Sequence, residues 1–237
     1  MASRREQKDK LRAEREAREA AAKASTRRRQ LIGYGVGGGI ALVAVIVVAV
    51  LLAGGGSGGS ASGDVLPSGG SYAAVEDDVP VAEAARAAGC ELRDFRATSR
   101  EHVADIDQTI EYESKPPTSG RHYQVAAEDG AYDESPKVIQ LVHTLEHGRI
   151  IIWFKKNLPA DQRAALKKYF DDDSYQMVLV PDTTGMKGKV SVTAWNRDPV
   201  PNGTGRLLTC PQFNDELFTA IESFKDEHRS RGPEPVP

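Results

Sequence analysis

The chain has 237 residues, 27% of them charged, and its net charge of −3 conceals an asymmetry: residues 1–30 carry eleven Lys or Arg against five Asp or Glu, a balance of +6, leaving −9 for the rest. Fourteen of the fifteen aromatics lie from Tyr72 onward, so 166 residues are available for a core, enough for one domain burying roughly 68–70% of its surface. Ordinary aliphatic content excludes a wholly disordered chain, and two cysteines exclude a disulfide-dense scaffold.

The leader, residues 1–30, is rich in Ala, Glu, Arg and Lys but has no apolar stripe, which predicts a solvated, frayed helix. Its basic residues suit a topology signal or contact with anionic lipid headgroups. Interleaved glutamates and the lack of an aromatic to stack argue against nucleic acid as a partner. Residues 31–53, LIGYGVGGGIALVAVIVVAVLLA, are 23 positions without a charge. As a helix they reach about 35 Å, against a hydrocarbon core of about 30 Å, and predict a single transmembrane span. A cleaved signal peptide would have a shorter apolar region, about 7–15 residues, behind a shorter leader. Seven basic residues lie within twenty positions before the span and none follows it until Arg86. That bias predicts a cytoplasmic N-terminus, with the C-terminal domain outside the cell membrane. Gly33-x-x-x-Gly37 and Gly35-x-x-x-Gly39 allow close helix approach and a weak homodimer, although such spacings arise easily in glycine-rich anchors. Residues 54–70, GGGSGGSASGDVLPSGG, read as a flexible linker of roughly 20–25 Å reach, and residues 71–237 as the extracytoplasmic globular domain.

Within that domain, Asp78 and Pro80 before VAEAARAA, with Gly89 after it, predict a short capped helix. Residues 91–97 and 107–112 are weak strand candidates, and KPPTSGRHY is a turn-rich loop. RIIIWF (149–154) and QMVLV (176–180) are short apolar runs, as strands covered on both faces would be, and PADQRAALKKYF between them has helical spacing. This is a strand–helix–strand unit with parallel strands. KVSVTAW (189–195) alternates and predicts a half-buried strand. Thr209-x-x-Gln212 reads as a capping box for a last helix carrying Phe213, Leu217, Ile221 and Phe224, ended by Gly232-Pro233. The fold class is α+β or α/β, a mixed sheet packed with helices.

Cys90 and Cys210 are the only thiols, and both fall on the outer side of the predicted span, where disulfides persist. A bond between them closes a long loop, worth an upper figure of about 4–5 kcal/mol in the chain-entropy picture. A reactive Cys210 at a helix start is the alternative. His102, His122, His143 and His147 fall within 46 residues, with only His228 apart. Converging imidazoles would hold zinc or copper. His143-Thr-Leu-Glu146-His147 also matches the H-x-x-E-H pattern of inverted zinc proteases, in which Glu146 would be the catalytic base and Glu216 or Glu222 a further acid. As a strand, the same segment would hold His143 and His147 about 13 Å apart, too far to share an ion. Ser119 beside His122 lacks a third group or oxyanion hole, and Asn202-Gly-Thr204 reads as a turn.

The order Tyr112, Pro116-Pro117-Thr118-Ser119-Gly120-x-His122-Tyr123, Gly130-x-Tyr132, Leu141-Val142-His143-x-Leu145-Glu146-His147-Gly148 and Thr193-Ala194-Trp195 resembles the DUF3105 family, a domain of unknown function typical of single-pass bacterial membrane proteins. The resemblance covers about residues 90–230. It implies an extracytoplasmic domain and assigns no activity. Thr144 stands where the family commonly has Asn. Three functions follow: a membrane-tethered binding module of unknown ligand with a histidine metal site, a zinc-dependent hydrolase, or a structural or interaction domain of the cell envelope.

Overall fold

A computed structural model describes residues 65–234. They belong to one compact unit, Gly63–Pro237. The predicted leader, the span and residues 54–64 of the linker lie outside the described residues. Among the described residues no helix is long and apolar enough to cross a membrane.

In chain order the elements are α1 (Val81–Ala87), β1 (Glu91–Arg96), β2 (His102–Val103), β3 (His122–Tyr123), β4 (Gly130–Ala131), α2 (Val138–Glu146), β5 (Ile150–Phe154), α3 (Ala160–Asp172), β6 (Met177–Pro181), β7 (Val190–Asn196), β8 (Thr204–Cys210) and α4 (Leu217–His228). The fold is α+β. Six strands form one mixed sheet in the order β1-β8-β7-β5-β6-β4, while β2 and β3 pair separately. The predicted unit β5-α3-β6 is present, with its strands parallel. β5, β6 and β7 are buried along their whole length, and their alternating side chains feed two cores. Ile150, Ile152, Phe154, Met177, Leu179, Val190 and Val192 face α1, α3 and α4. Ile151, Trp153, Val178, Val180 and Trp195 face α2 and the irregular segment before it. At about 25 cal/mol per Å² of buried apolar surface, each large side chain contributes about 1.5–3 kcal/mol before chain entropy is counted.

Four local readings change. β7 is buried on both faces rather than half-buried, because α2 covers the side that carries Ser191, Thr193 and Trp195; Trp153 Nε1 donates to Thr193 Oγ1 at 2.9 Å, satisfying both groups. Residues 107–112 form no strand and run as an irregular segment. Thr209 is no helix cap: it lies in β8, a strand missed in the sequence, and α4 begins at Leu217 without a side-chain cap. It ends at His228, before Gly232-Pro233. α1 likewise has no side-chain cap, and Asp78 sits at positive φ before it.

Cys90 and Cys210 form a disulfide, with Cα atoms 4.3 Å apart. It ties the start of β1 to the end of β8, not to the start of the last helix, so Cys210 is a strand residue without a free thiol. The Asn202-Gly-Thr204 turn lies in the connection between β7 and β8, where Trp195 Nε1 donates to Asn202 O at 2.7 Å.

Candidate metal centre

α2 forms because VIQLVHTLE places Leu141, Val142 and Leu145 against the sheet. Gly148 stops it. Its φ of +81° suits glycine, and a Cβ there would meet Gly232 N at 2.8 Å. The helix thus ends with Glu146 and His147 at its last turn. Helical spacing carries His143 and Glu146 onto one face.

The partners come from β2 and β3, which pair in parallel with His102 opposite His122. Neighbouring strands lie about 4.8 Å apart, and the two rings stand 4.6 Å apart between centroids. His143 is 4.8 Å from each. One ligand atom each from His102, His122, His143 and Glu146 lies within 4.8 Å of the others. His122, His143 and Glu146 are buried, whereas the His102 side chain is 45% exposed and faces solvent.

Backbone carbonyls orient the two buried rings. His122 Nδ1 lies 2.7 Å from Gly120 O, and His143 Nδ1 lies 2.7 Å from Tyr123 O. A carbonyl only accepts, so each Nδ1 carries a proton and each Nε2 is left to the cluster, the arrangement expected of metal-ligating histidines. Burial, with the neighbouring imidazoles, lowers the His143 pKa to about 4 despite the opposing Tyr123 contact. The ring is therefore neutral at pH 7.

Glu146 completes the set. Burial alone would raise its pKa, but the hydrogen bond and charge of Arg100, joined by His122 when that ring also carries a proton on Nε2, outweigh it and hold the carboxyl at about 2. Arg100 Nε is 2.5 Å from Oε1. Oε2 is 2.9 Å from His122 Nε2, and with the proton of that ring on Nδ1 towards Gly120 O, both buried atoms lack a hydrogen-bond partner. Two buried polar atoms that close and unsatisfied are costly unless a third group lies between them.

The segments ahead of the cluster hold this geometry. Tyr112 OH donates to Arg121 O at 2.9 Å. Ser114 Oγ donates to Pro116 O at 2.8 Å and lies 3.4 Å from Thr118 Oγ1. Pro116, Pro117 and Thr118 are buried, and Gly205 of β8 has no Cβ where one would meet Thr118 Oγ1 at 2.1 Å. The PPTSG turn is therefore a brace that delivers His122 and Tyr123. Neither His122 nitrogen is turned to Ser119, so the serine–histidine reading has no geometry.

His147 lies outside that group. It caps α2, and its ring is 4.5 Å from His143. It forms a second group with His143 and Glu234. The acids expected for a hydrolase are elsewhere: Glu222 accepts from Tyr169 and Lys225 on the opposite face, and Glu216 precedes α4. Glu146 is also unlike a base held off the metal, because Arg100 grips one oxygen and the other faces His122. Arg100 and Glu234 carried no signal in the sequence; only the fold brings them to the histidines.

A family model described as protein of unknown function (DUF3105) matches residues 102–236, more than half of the chain. The chain belongs to this family. The DUF3105 match begins at His102 and takes in His122, His143, His147, Glu146 and Glu234, whereas Arg100 lies just before it. No curated protein and no solved structure matches the chain.

Proposed function

We propose that this DUF3105 domain is a divalent-metal binding module held outside the cell membrane by residues 31–53. The ion is bound by His122, His143 and Glu146, with exposed His102 closing the site. The observation that carries the reading is the pair His122 Nε2 and Glu146 Oε2, buried 2.9 Å apart without a hydrogen-bond partner. Four ligands at about 2.0–2.1 Å from a tetrahedral ion sit roughly 3.3 Å from one another. The four ligand atoms lie within 4.8 Å of one another, so a modest closure of the group reaches that. Three imidazoles and one carboxylate suit zinc or copper(II); Cu(I) prefers thiolate or thioether, and calcium or magnesium prefers oxygen. With Glu146 a ligand, a tetrahedral ion has no open position for water, which favours binding over hydrolysis.

The test is elemental analysis and zinc titration of the full chain purified in detergent. One ion per chain is expected, and His122→Ala should weaken it on the order of 100-fold. Absence of binding at neutral pH, or full affinity in His122→Ala, overturns the reading. For the topology, protease added outside intact cells should remove the C-terminal domain; its protection inside the cell would refute the assignment.

A further inference from the structure

His143 belongs to both groups of ligands. At about 100° per residue, Glu146 lies about 60° to one side of His143 around the α2 axis, and His147 about 40° to the other. The helix therefore splits its ligands into two sets that share one imidazole. On one side stand Glu146, His122 and His102; on the other stand His147 and Glu234. Glu234 is placed by the C-terminal segment, which is laced onto the end of α2. Ser230 N donates to Gly148 O at 2.9 Å, and Glu234 N donates to Glu146 O at 3.0 Å. Gly232 lies so close that a Cβ would meet Glu146 O at 2.2 Å.

His143 has a single lone pair to give, because Tyr123 O occupies the Nδ1 proton. An ion in either set takes that lone pair from the other. We infer that the domain holds one divalent ion that exchanges between two overlapping positions, a deep one at His122–His143–Glu146 and an outer one at His143–His147–Glu234, with His143 passing it across. This rests on the metal-binding reading of the first position and adds a route. The outer position has fewer ligands, and Arg149, whose Nη1 donates to His147 O at 3.2 Å, places a guanidinium near it. Both features weaken holding there relative to the deep site. Half-buried His147 and partly exposed Glu234 are open to solvent.

Copper(II) alone is the probe, added below one equivalent to the metal-free full chain in detergent and read by electron paramagnetic resonance. The wild type should bind one ion per chain and show two superimposed signals. His147→Ala should lose the outer signal and move its intensity into the deep one. Glu234→Gln should shrink the outer signal, and His122→Ala should leave only that signal. A single signal unchanged by His147→Ala overturns the exchange while leaving the deep site standing. Two ions bound at once with His143 intact overturn the shared-ligand argument. Failure of the wild type to bind copper overturns both the deep site and the exchange.

Discussion

The two faces of the central sheet are built differently. One is covered by α1, α3 and α4 and holds the larger apolar core, with the Cys90–Cys210 disulfide at one edge. Its buried charges are paired, Lys225 with Asp173 and Glu222 and Arg229 Nη1 with Asp173, and the atoms left without a hydrogen-bond partner there, such as Arg229 Nε and Gln162 Oε1, belong to separate side chains. The other face has only α2 and a long irregular segment, and a smaller core. There the buried polar atoms converge unmatched, at His122 and Glu146. Regular elements with complementary apolar faces supply the stability, and an irregular segment braced on them can hold side chains in an arrangement that folding alone would disfavour.

The largest break in this contrast comes from the apolar face. Phe224→Ala, at a fully buried site, should cost about 3–5 kcal/mol in chemical denaturation, irrespective of added metal. Replacing Cys90 and Cys210 together by Ser should cost about 2–5 kcal/mol. If either change weakened zinc binding without loss of stability, the division of labour between the faces would be wrong.

On the site face the effect should appear in affinity instead. Glu146→Gln should lower zinc affinity on the order of 100-fold with little change in the metal-free fold. A hydrolase would keep its ion in this variant and lose turnover, so one titration separates the two. A finer test uses pH. Burial lowers His143 to about 4 on the site face and His228 to about 3 on the other, where Arg206 and Arg231 add to the effect. In both cases the unfolded chain binds a proton first, so stability should fall as pH drops from about 6.5 towards these values. Glu146, depressed to about 2, stabilises above about 4.5 and loses this as pH falls through its folded value. Added zinc should steepen the loss in the wild type and not in His143→Ala. The smallest effect is expected for Arg100→Ala, about tenfold in affinity, because Arg100 orients Glu146 without touching the ion.

What the sequence disclosed follows the same division. RIIIWF and QMVLV are legible because a strand buried on both faces must be continuously apolar, and the helix between them because its apolar positions recur at helical spacing. β8 is hard to see: TGRLLTC lies towards the sheet edge with intermediate positions at Thr204, Arg206 and Thr209, so its pattern is broken. A formal capping box at Thr209 misplaced the last helix for the same reason. The histidine clustering pointed to a site, but the grouping needed tertiary structure. His102 and His122 become neighbours through a two-residue strand pair too short to predict, and Glu146 changes from expected base to candidate ligand only because β3 puts His122 beside it.

X-ray absorption on the zinc-loaded full chain tests the central claim most directly. The metal-binding reading predicts one ion with a first shell of about four nitrogen or oxygen atoms at about 2.0–2.1 Å, with imidazole outer-shell scattering that falls in His122→Ala. A shell of water oxygens with at most one imidazole, or the same spectrum after His122→Ala, would contradict it.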